Sequence, residues 1–310
     1  METLTKSKKE AIRTALRVYC GKYASQNKAA NSLQGVSPAT ISAILNGKDT
    51  LISEDMWRSI AAQVGGLKDD WVVVETNNFR EITMAIADAR EWRNTLWIVG
   101  EAGCGKTTAA KTYRDENKEA FYILCSEDMK RGDFVREIAR MVGVKTEGYT
   151  VRQLWELILD ALIQMDSPIL LFDEADKLPD SVFHYFVSLY NKLEEHAGII
   201  FLSTDYICKR VRMGLQYEKP GYKEFFSRIG RKYFILDPAT VNDVTIICRA
   251  NGLTNAEEID RVINESATTA YDRAELLTTG KKRAKGVSYE YDFRRVKKSV
   301  RRTLSQRNHG

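Results

Sequence analysis

The chain has 310 residues, a formal net charge of +5, 44% hydrophobic and 29% charged residues, an ordinary globular balance with length for two or three domains and a full-sized core. It holds no run of 18 apolar residues, so no membrane-spanning helix or membrane partner is expected, and residues 1–9 lack the apolar core of a secretion signal, which predicts a cytoplasmic protein. Five scattered cysteines without a C-x-x-C pair predict reduced thiols, and three histidines without ligand spacing argue against zinc.

Residues 1–66 read as a small all-helical unit. Ile12, Leu16 and Tyr19 give helical spacing over 8–23, and a second helix is predicted at 25–33. After a short turn at Gly35, Ser37 is a good N-cap with Pro38 at the first helical position, and Gly47 stops that helix. A fourth helix is predicted at 53–64, with Ile60 and Val64 inward. Two helices joined by a short glycine turn match a DNA-binding helix-turn-helix. The stretch from Ala30 through Gly35-Val36-Ser37 to Thr40-Ile41-Ser42 resembles phage-repressor-type domains. In that arrangement Ala30, Ile41 and Ile44 pack inward, while Ser37, Ala39, Thr40 and Ser42 face the DNA groove. The same helices also fit a bundle that binds protein, because the second helix is poor in Arg, Lys and Gln.

Residues 67–238 alternate strands and helices, which predicts an α/β unit with a parallel sheet and crossover helices. The stretch 65–80 is a linker into it; within this, 73–77 is expected to frame a base, and the Glu75-Thr76-Asn77 run to cap a helix at 79–90. The apolar run 96–99 then leads into residues 100–107, which fit G-x-x-x-x-G-K-[ST] ahead of a helix. Such a loop turns backbone N–H groups inward around phosphate oxygens at a helix N-terminus. Gly100, Ala102, Gly103, Cys104, Gly105 and Thr108 are therefore expected to cradle ATP with Lys106 at the β- and γ-phosphates, and the Thr107 hydroxyl to ligate Mg2+.

A strand is predicted at 120–125, a loop and helix to 143, and a helix at 151–165. The buried strand 169–172 ends in Asp173 and Glu174. Carboxylates emerging there suit a Mg2+ ligand in Asp173 and a water-orienting group in Glu174. A helix at 178–195, a strand at 198–204 and a strand at 231–236 complete the unit, and 239–310 is expected to be all helical. Residues 281–310 carry eleven Lys or Arg against Glu290 and Asp292. That imbalance fits either contact with a polyanion or a solvated charged helix. Thr204 at a strand end suits a contact to the attacking water or γ-phosphate. Arg228 before the last strand suits an arginine finger acting on a neighbouring subunit, and Arg295 suits a contact to nucleotide from the helical end.

This order of parts resembles the AAA+ ATPases, and more closely the phage Mu transposition protein B family of DNA-transposition ATPases. The likeness spans the helix-turn-helix at 25–46, Val73-Val74-Glu75-Thr76, the loop 100–107, Phe172-Asp173-Glu174-Ala175-Asp176 and Phe226-Ser227-Arg228-Ile229. Two departures stand out: the family's Gly-Asn at the polar strand end is Ser203-Thr204 here, and its Gly-Ala-Leu-Arg is Asp292-Phe293-Arg294-Arg295, which leaves open whether Arg294 or Arg295 meets the nucleotide. The resemblance implies a helical lid over 239–310 and subunits that bind ATP at their interfaces and assemble as filaments on double-stranded DNA. Binding is then largely sequence-independent and salt-dependent, through Lys130 and Arg131 or through Lys297, Lys298, Arg301 and Arg302 of the basic end. It further implies delivery of target DNA to a partner transposase, with hydrolysis dismantling the filament. A replication initiator or helicase loader, and an ATP-switched transcription regulator, are the alternatives; a metabolic kinase fits poorly because no acceptor-substrate site is visible.

Overall fold

The computed structural model describes residues 4, 6–49, 52–64, 71–271 and 284–307. The expected linker positions 65–70 and the basic residues Lys281, Lys282 and Arg283 fall outside them. Helices α1 (Lys6–Cys20), α2 (Gln26–Asn31), α3 (Pro38–Leu45) and α4 (Glu54–Val64) enclose a core of their own built on Ile12, Leu16, Ala30, Ile41, Ile44, Trp57 and Ile60. Ser37 caps α3 by accepting from the Thr40 N–H, and Pro38 needs no donor at the first helical position.

After α5 (Asn77–Glu91), capped by Thr76, the chain enters β1 (Thr95–Val99), α6 (Lys106–Glu116) and β2 (Ala120–Leu124). Then follow α7 (Arg131–Val142), α8 (Val151–Ile163), β3 (Ile169–Asp173), α9 (Asp180–Leu193) and β4 (Gly198–Ser203). The five-stranded sheet closes with β5 (Phe234–Ile235) in the order β2-β3-β4-β1-β5, every pair parallel.

Side chains alternate across this sheet with period two. Trp97, Val99, Phe121, Ile123, Leu170, Phe172, Ile199 and Phe201 share one cluster with α7, α8 and α9. Ile98, Tyr122, Ile169, Leu171, Ile200 and Leu202 share the other with α5 and α6. The first layer is strongly aromatic: Trp97 stacks on Phe201 at 4.6 Å and Phe186 meets Phe201 at 4.4 Å. Both faces are therefore buried, as parallel sheets require.

Two expectations are corrected. The stretch between β4 and β5 holds two helices, α10 (Tyr206–Gln216) and α11 (Tyr222–Arg228), which leaves β5 only two residues long. A Cβ on Gly214 of α10 would sit 2.3 Å from the Tyr222 ring, so this glycine is the close-approach point between these helices. The region after 239 is not all helical. Following α12 (Val241–Ala250) and α13 (Ala256–Ser266), β6 (Ala267–Tyr271) pairs antiparallel with β7 (Ala284–Tyr291) before α14 (Phe293–Arg307). Thr268, Thr269 and Tyr271 in β6 and Val287, Tyr289 and Tyr291 in β7 are residue types that favour pleated strands over helix. These helices share a third core of Val244, Ile247, Val262, Val296 and Val300, against which Trp71 and Val74 pack.

The N-terminal bundle docks on α6 and α7. Lys22 Nζ donates to the Arg114 carbonyl at 2.9 Å, Arg140 donates to the Ser32 carbonyl at 2.6 Å, and the Tyr23 hydroxyl donates to the Met141 carbonyl at 3.2 Å. Among the described residues no helix is long and apolar enough to cross a membrane, and the five cysteines are free thiols.

Candidate functional site

Strand order decides what meets at the C-terminal edge of the sheet. Strands β1, β4 and β3 are adjacent, with Val99 opposite Ser203 and Leu202 opposite Asp173. The loop after β1, Thr204 after β4 and the acidic pair at the end of β3 are thereby gathered around one crevice, where open α/β sheets bind ligands.

The loop after β1 is shaped by its glycines. Gly103 has φ +83°, and Gly105 has φ +102° as the N-cap of α6. No side chain caps α6, so the first-turn N–H groups are left for a ligand. Lys106 is 9% exposed; its Nζ donates to the Gly100 and Glu101 carbonyls at 2.8 Å each and lies 3.6 Å from the Cys104 sulfur. The side chain thus folds back under its own loop, with its charge held where phosphates would sit.

Asp173 is 1% exposed. Its Oδ2 accepts from the Thr107 hydroxyl and from the Tyr122 hydroxyl, both at 2.7 Å, and its Oδ1 accepts from the Glu174 N–H at 3.0 Å. Burial, and then the Asp173 charge, push the Tyr122 phenol well up, so it stays a donor. Glu174 occupies the left-handed region at φ +56°, a conformation that costs a non-glycine residue energy and concentrates at functional sites. Its carboxylate pairs with Lys177 Nζ at 2.6 Å, and that hydrogen bond raises the Lys177 pKa. The Thr204 hydroxyl donates to Asp176 Oδ2 at 2.8 Å, while burial raises the Asp176 carboxyl.

A cavity of about 490 Å3 opens over these groups, within the range of small-molecule sites. Ala102, Gly103, Gly105, Lys106, Thr107, Thr108, Asp173, Glu174 and Thr204 line it, as do Asp176 and Lys177. Gly100 is tied to β4, its N–H donating to the Ser203 carbonyl at 3.2 Å, and Cys104 is buried beneath the loop. Trp71, Val72, Val73, Val74 and Phe79 form an apolar wall with Ile247 and Phe293, and Thr76 lines the cavity beside them. The expected base-framing stretch lies there, extended upstream by Trp71.

The lid end reaches the same cavity. The Phe293 N–H donates to the Gly103 carbonyl at 3.0 Å, and a Cβ on Gly103 would lie 2.0 Å from the Asp292 carboxylate. Gly103→Ala is therefore expected to expel Asp292, undock α14 and weaken nucleotide binding, with about 1–2 kcal/mol of left-handed strain added to the fold. A thermal melt and a fluorescent-nucleotide titration read the two effects; wild-type values in both would deny the contact any role.

Arg294 and Lys297, not Arg295, line the cavity. Val296 and Val300 fix the inward face of α14, so residues 293, 294 and 297 turn toward the crevice while exposed Arg295 and Lys298 turn away. Lys297, expected among the DNA contacts, sits 5.3 Å over the Trp71 ring, and burial lowers its pKa. Arg228 is exposed at the end of α11, 5.1 Å over the Tyr190 ring, and does not line the cavity of its own chain. Ser37 and Ala39 are exposed and Thr40 and Ser42 half-buried. Lys130 is the N-cap residue of α7, and the Arg131 Nε donates to the Ser181 carbonyl at 3.0 Å. Lys298, Arg301 and Arg302 are exposed on α14, and Arg302 pairs with Glu265.

The donor set fits Mg2+ bound with a nucleotide. Thr107 and Asp173 offer two oxygens at one point, and phosphates and water supply the remaining ligands of such sites. Among the described residues no cluster of three or more His, Cys, Asp or Glu forms an all-protein metal cage.

Residues 90–211 match the family model described as an AAA domain. No curated protein matches the chain. The chain is similar in structure to the Orc1 protein of Aeropyrum pernix, solved in complex with DNA, at 15% identity and a TM-score of 0.51, covering 78% of this chain and 63% of that one. It is also similar to Cdc6p from Pyrobaculum aerophilum, at 16% identity and a TM-score of 0.47, covering 64% of this chain and 57% of that one. The RuvB Holliday junction branch migration motor of Thermotoga maritima matches at 13% identity and a TM-score of 0.35, covering 74% of this chain and 69% of that one. The chain spans less than two thirds of the length of the first two. The fold is the AAA+ ATPase fold, a parallel sheet with crossover helices preceded by an all-helical region.

Proposed function

We propose that this chain binds and hydrolyses ATP with Mg2+, couples the nucleotide to binding of double-stranded DNA, and assembles along that DNA to present it to a partner transposase. The observation that carries the nucleotide reading is the meeting of Thr107 and Asp173 at 2.7 Å beside the buried Lys106. Residues from two different strand ends converge there on one phosphate-and-metal point. The DNA reading is supported by the helix-turn-helix pattern and by the exposed basic face of α14 at Lys298, Arg301 and Arg302. The transposition reading rests on the motif likeness to the phage Mu transposition protein B family.

In this reading Lys106 and the first-turn N–H groups of α6 hold the phosphates, and Thr107 with Asp173 holds Mg2+. Bound Mg2+ supplies neutralisation of phosphate charge. The Trp71 to Val74 wall, Ile247 and Phe293 enclose the base and exclude water from it. Glu174 leaves Lys177 to orient the attacking water, and Arg228 of one subunit serves the site of the next.

Glu174→Gln keeps the shape and a hydrogen bond to Lys177 but loses the carboxylate. Hydrolysis is expected to fall about a hundredfold or more with nucleotide binding retained and DNA-bound assemblies persisting in ATP. A variant with normal turnover would remove Glu174 from the role.

The second reading is a replication initiator or helicase loader, favoured by the fold likeness to the Orc1 protein solved in complex with DNA. Electron microscopy and footprinting on plain duplex DNA with a slowly hydrolysed ATP analogue separate the two. Long sequence-independent coverage supports the filament; a short fixed footprint supports the initiator or an ATP-switched regulator.

A further inference from the structure

Asp173 has a third partner that the nucleotide reading does not use. Tyr122 lies on the edge strand β2 and faces the α5 and α6 layer, where a phenylalanine would fill the same volume. Its hydroxyl instead reaches the same Asp173 oxygen that Thr107 holds. A metal held by Thr107 would draw on the same hydroxyl oxygen, so the phenol would be a second donor that holds the carboxylate in place independently of Thr107.

The rest of the Tyr122 ring is engaged from α6. Lys111 Nζ stands 5.1 Å over it, and the Arg114 guanidinium stands 5.7 Å over it. Cations over the ring draw electron density and strengthen the hydroxyl as a donor. Arg114 is in turn tied to the N-terminal bundle: Lys22 donates to its carbonyl at 2.9 Å, and Asp115 pairs with the Arg114 guanidinium at 2.7 Å and with Lys22 at 3.4 Å. Burial lowers the Lys22 pKa, as expected of a cation held in a seam. The seam encloses about 280 Å3, with Tyr19, Lys22 and Tyr23 on the bundle side and Lys111, Arg114 and Tyr122 on the other.

We propose that Tyr122 is a positioning residue for the Asp173 carboxylate, and that docking of the N-terminal bundle on α6 acts on the nucleotide site through it. The inference rests on the reading of Asp173 as a Mg2+ ligand. Helix α6 begins in the phosphate loop and ends under Lys22, so one rigid element joins the seam to Thr107 directly and to Asp173 through the Tyr122 ring that its Lys111 and Arg114 overlie. Contiguity is not coupling, and a double-mutant cycle measures the coupling directly.

The experiment uses the full chain with a slowly hydrolysed ATP analogue and follows Mn2+ binding by electron paramagnetic resonance. Nucleotide binding in EDTA is the control, and a thermal melt checks that each variant is folded. Tyr122→Phe is expected to weaken Mn2+ binding about tenfold, as loss of a partner to a metal ligand does, while metal-free nucleotide binding stays at the wild-type value. Lys22→Met, which keeps the stem and removes the charge, is expected to weaken Mn2+ binding in the wild-type background and to add nothing on top of Tyr122→Phe. Wild-type Mn2+ affinity in Tyr122→Phe overturns the positioning role. A Lys22→Met effect that is absent, or equal in both backgrounds, overturns the transmission from the bundle. A wild-type protein that binds neither nucleotide nor Mn2+ overturns the nucleotide-site reading instead.

Discussion

Lys106→Ala is expected to lose tight nucleotide binding and, with it, all ATP-dependent DNA binding. The Lys106 ammonium is nearly buried and held by two loop carbonyls at 2.8 Å each. Without it those carbonyls present negative partial charge to incoming phosphates in a site that little water reaches. Hydrogen bonds to charged groups contribute about 1.5–3 kcal/mol each. Losing two such bonds to phosphate oxygens costs about 3–6 kcal/mol, or about 10² to 10⁴ in affinity. DNA affinity is measured with and without ATP at one fixed salt concentration, because phosphate contacts make it steeply salt-dependent. Equal DNA affinity for wild type and variant in ATP would sink the claim that nucleotide builds the DNA-bound form. The fold itself is expected to survive, since the alanine enters the first turn of α6, a position it favours, and not the aromatic core around Trp97 and Phe201.

The parts of this site that were legible in the sequence are those whose chemistry is local. The loop 100–107 carries its spacing within eight residues, and its setting between β1 and α6 follows from the adjacent apolar run. Asp173 and Glu174 were readable because a buried strand announces its own end. The Ser37 cap and the inward trio of Ala30, Ile41 and Ile44 likewise follow from short-range helix rules.

What was not legible depends on pairs far apart in the chain. Tyr122 reads as one more apolar residue of a buried strand; only the neighbouring position of β3 gives its hydroxyl Asp173 as a partner. Trp71 and Lys297 meet only because the lid helices fold back over the linker. The choice of Arg294 over Arg295 turned on the phase of α14, which Val296 and Val300 set against α12 and α13. The β6–β7 hairpin was hidden by the basic composition around it, which reads as a charged helix, and its two strands find each other across an intervening stretch of sequence. Glu174 is a different case: its place at the strand end is legible, but its left-handed backbone and its pairing with Lys177 are not, because both come from the turn that follows β3.

The sharing of the active site between subunits is tested by mixing two inactive variants. Arg228 ends α11 on an exposed surface and is absent from the cavity lining of its own chain. An arginine so placed can serve a γ-phosphate only across an interface. Arg228→Ala is expected to retain ATP binding, since Lys106, Thr107 and Asp173 are untouched, and to lose turnover by roughly 10³-fold or more, the scale of an arginine finger. Lys106→Ala is inactive for the opposite reason: its finger is intact and its loop is not. A Lys106→Ala subunit can still join an assembly through the interface at which its neighbour holds the nucleotide. At that interface the neighbour, carrying Arg228→Ala, supplies the intact loop, and the Lys106→Ala subunit supplies the intact finger. Mixing the two is therefore expected to restore hydrolysis well above either alone, with a maximum at an intermediate ratio and a steep rise with protein concentration or added DNA. The cation over Tyr190 sharpens the test: Tyr190→Ala frees the guanidinium but leaves both the finger and the loop in place, so it is expected to keep turnover on its own where Arg228→Ala does not. A mixture as inactive as its components, while both are found together on DNA, would make Arg228 a structural arginine held by Tyr190 and leave the site complete within one chain.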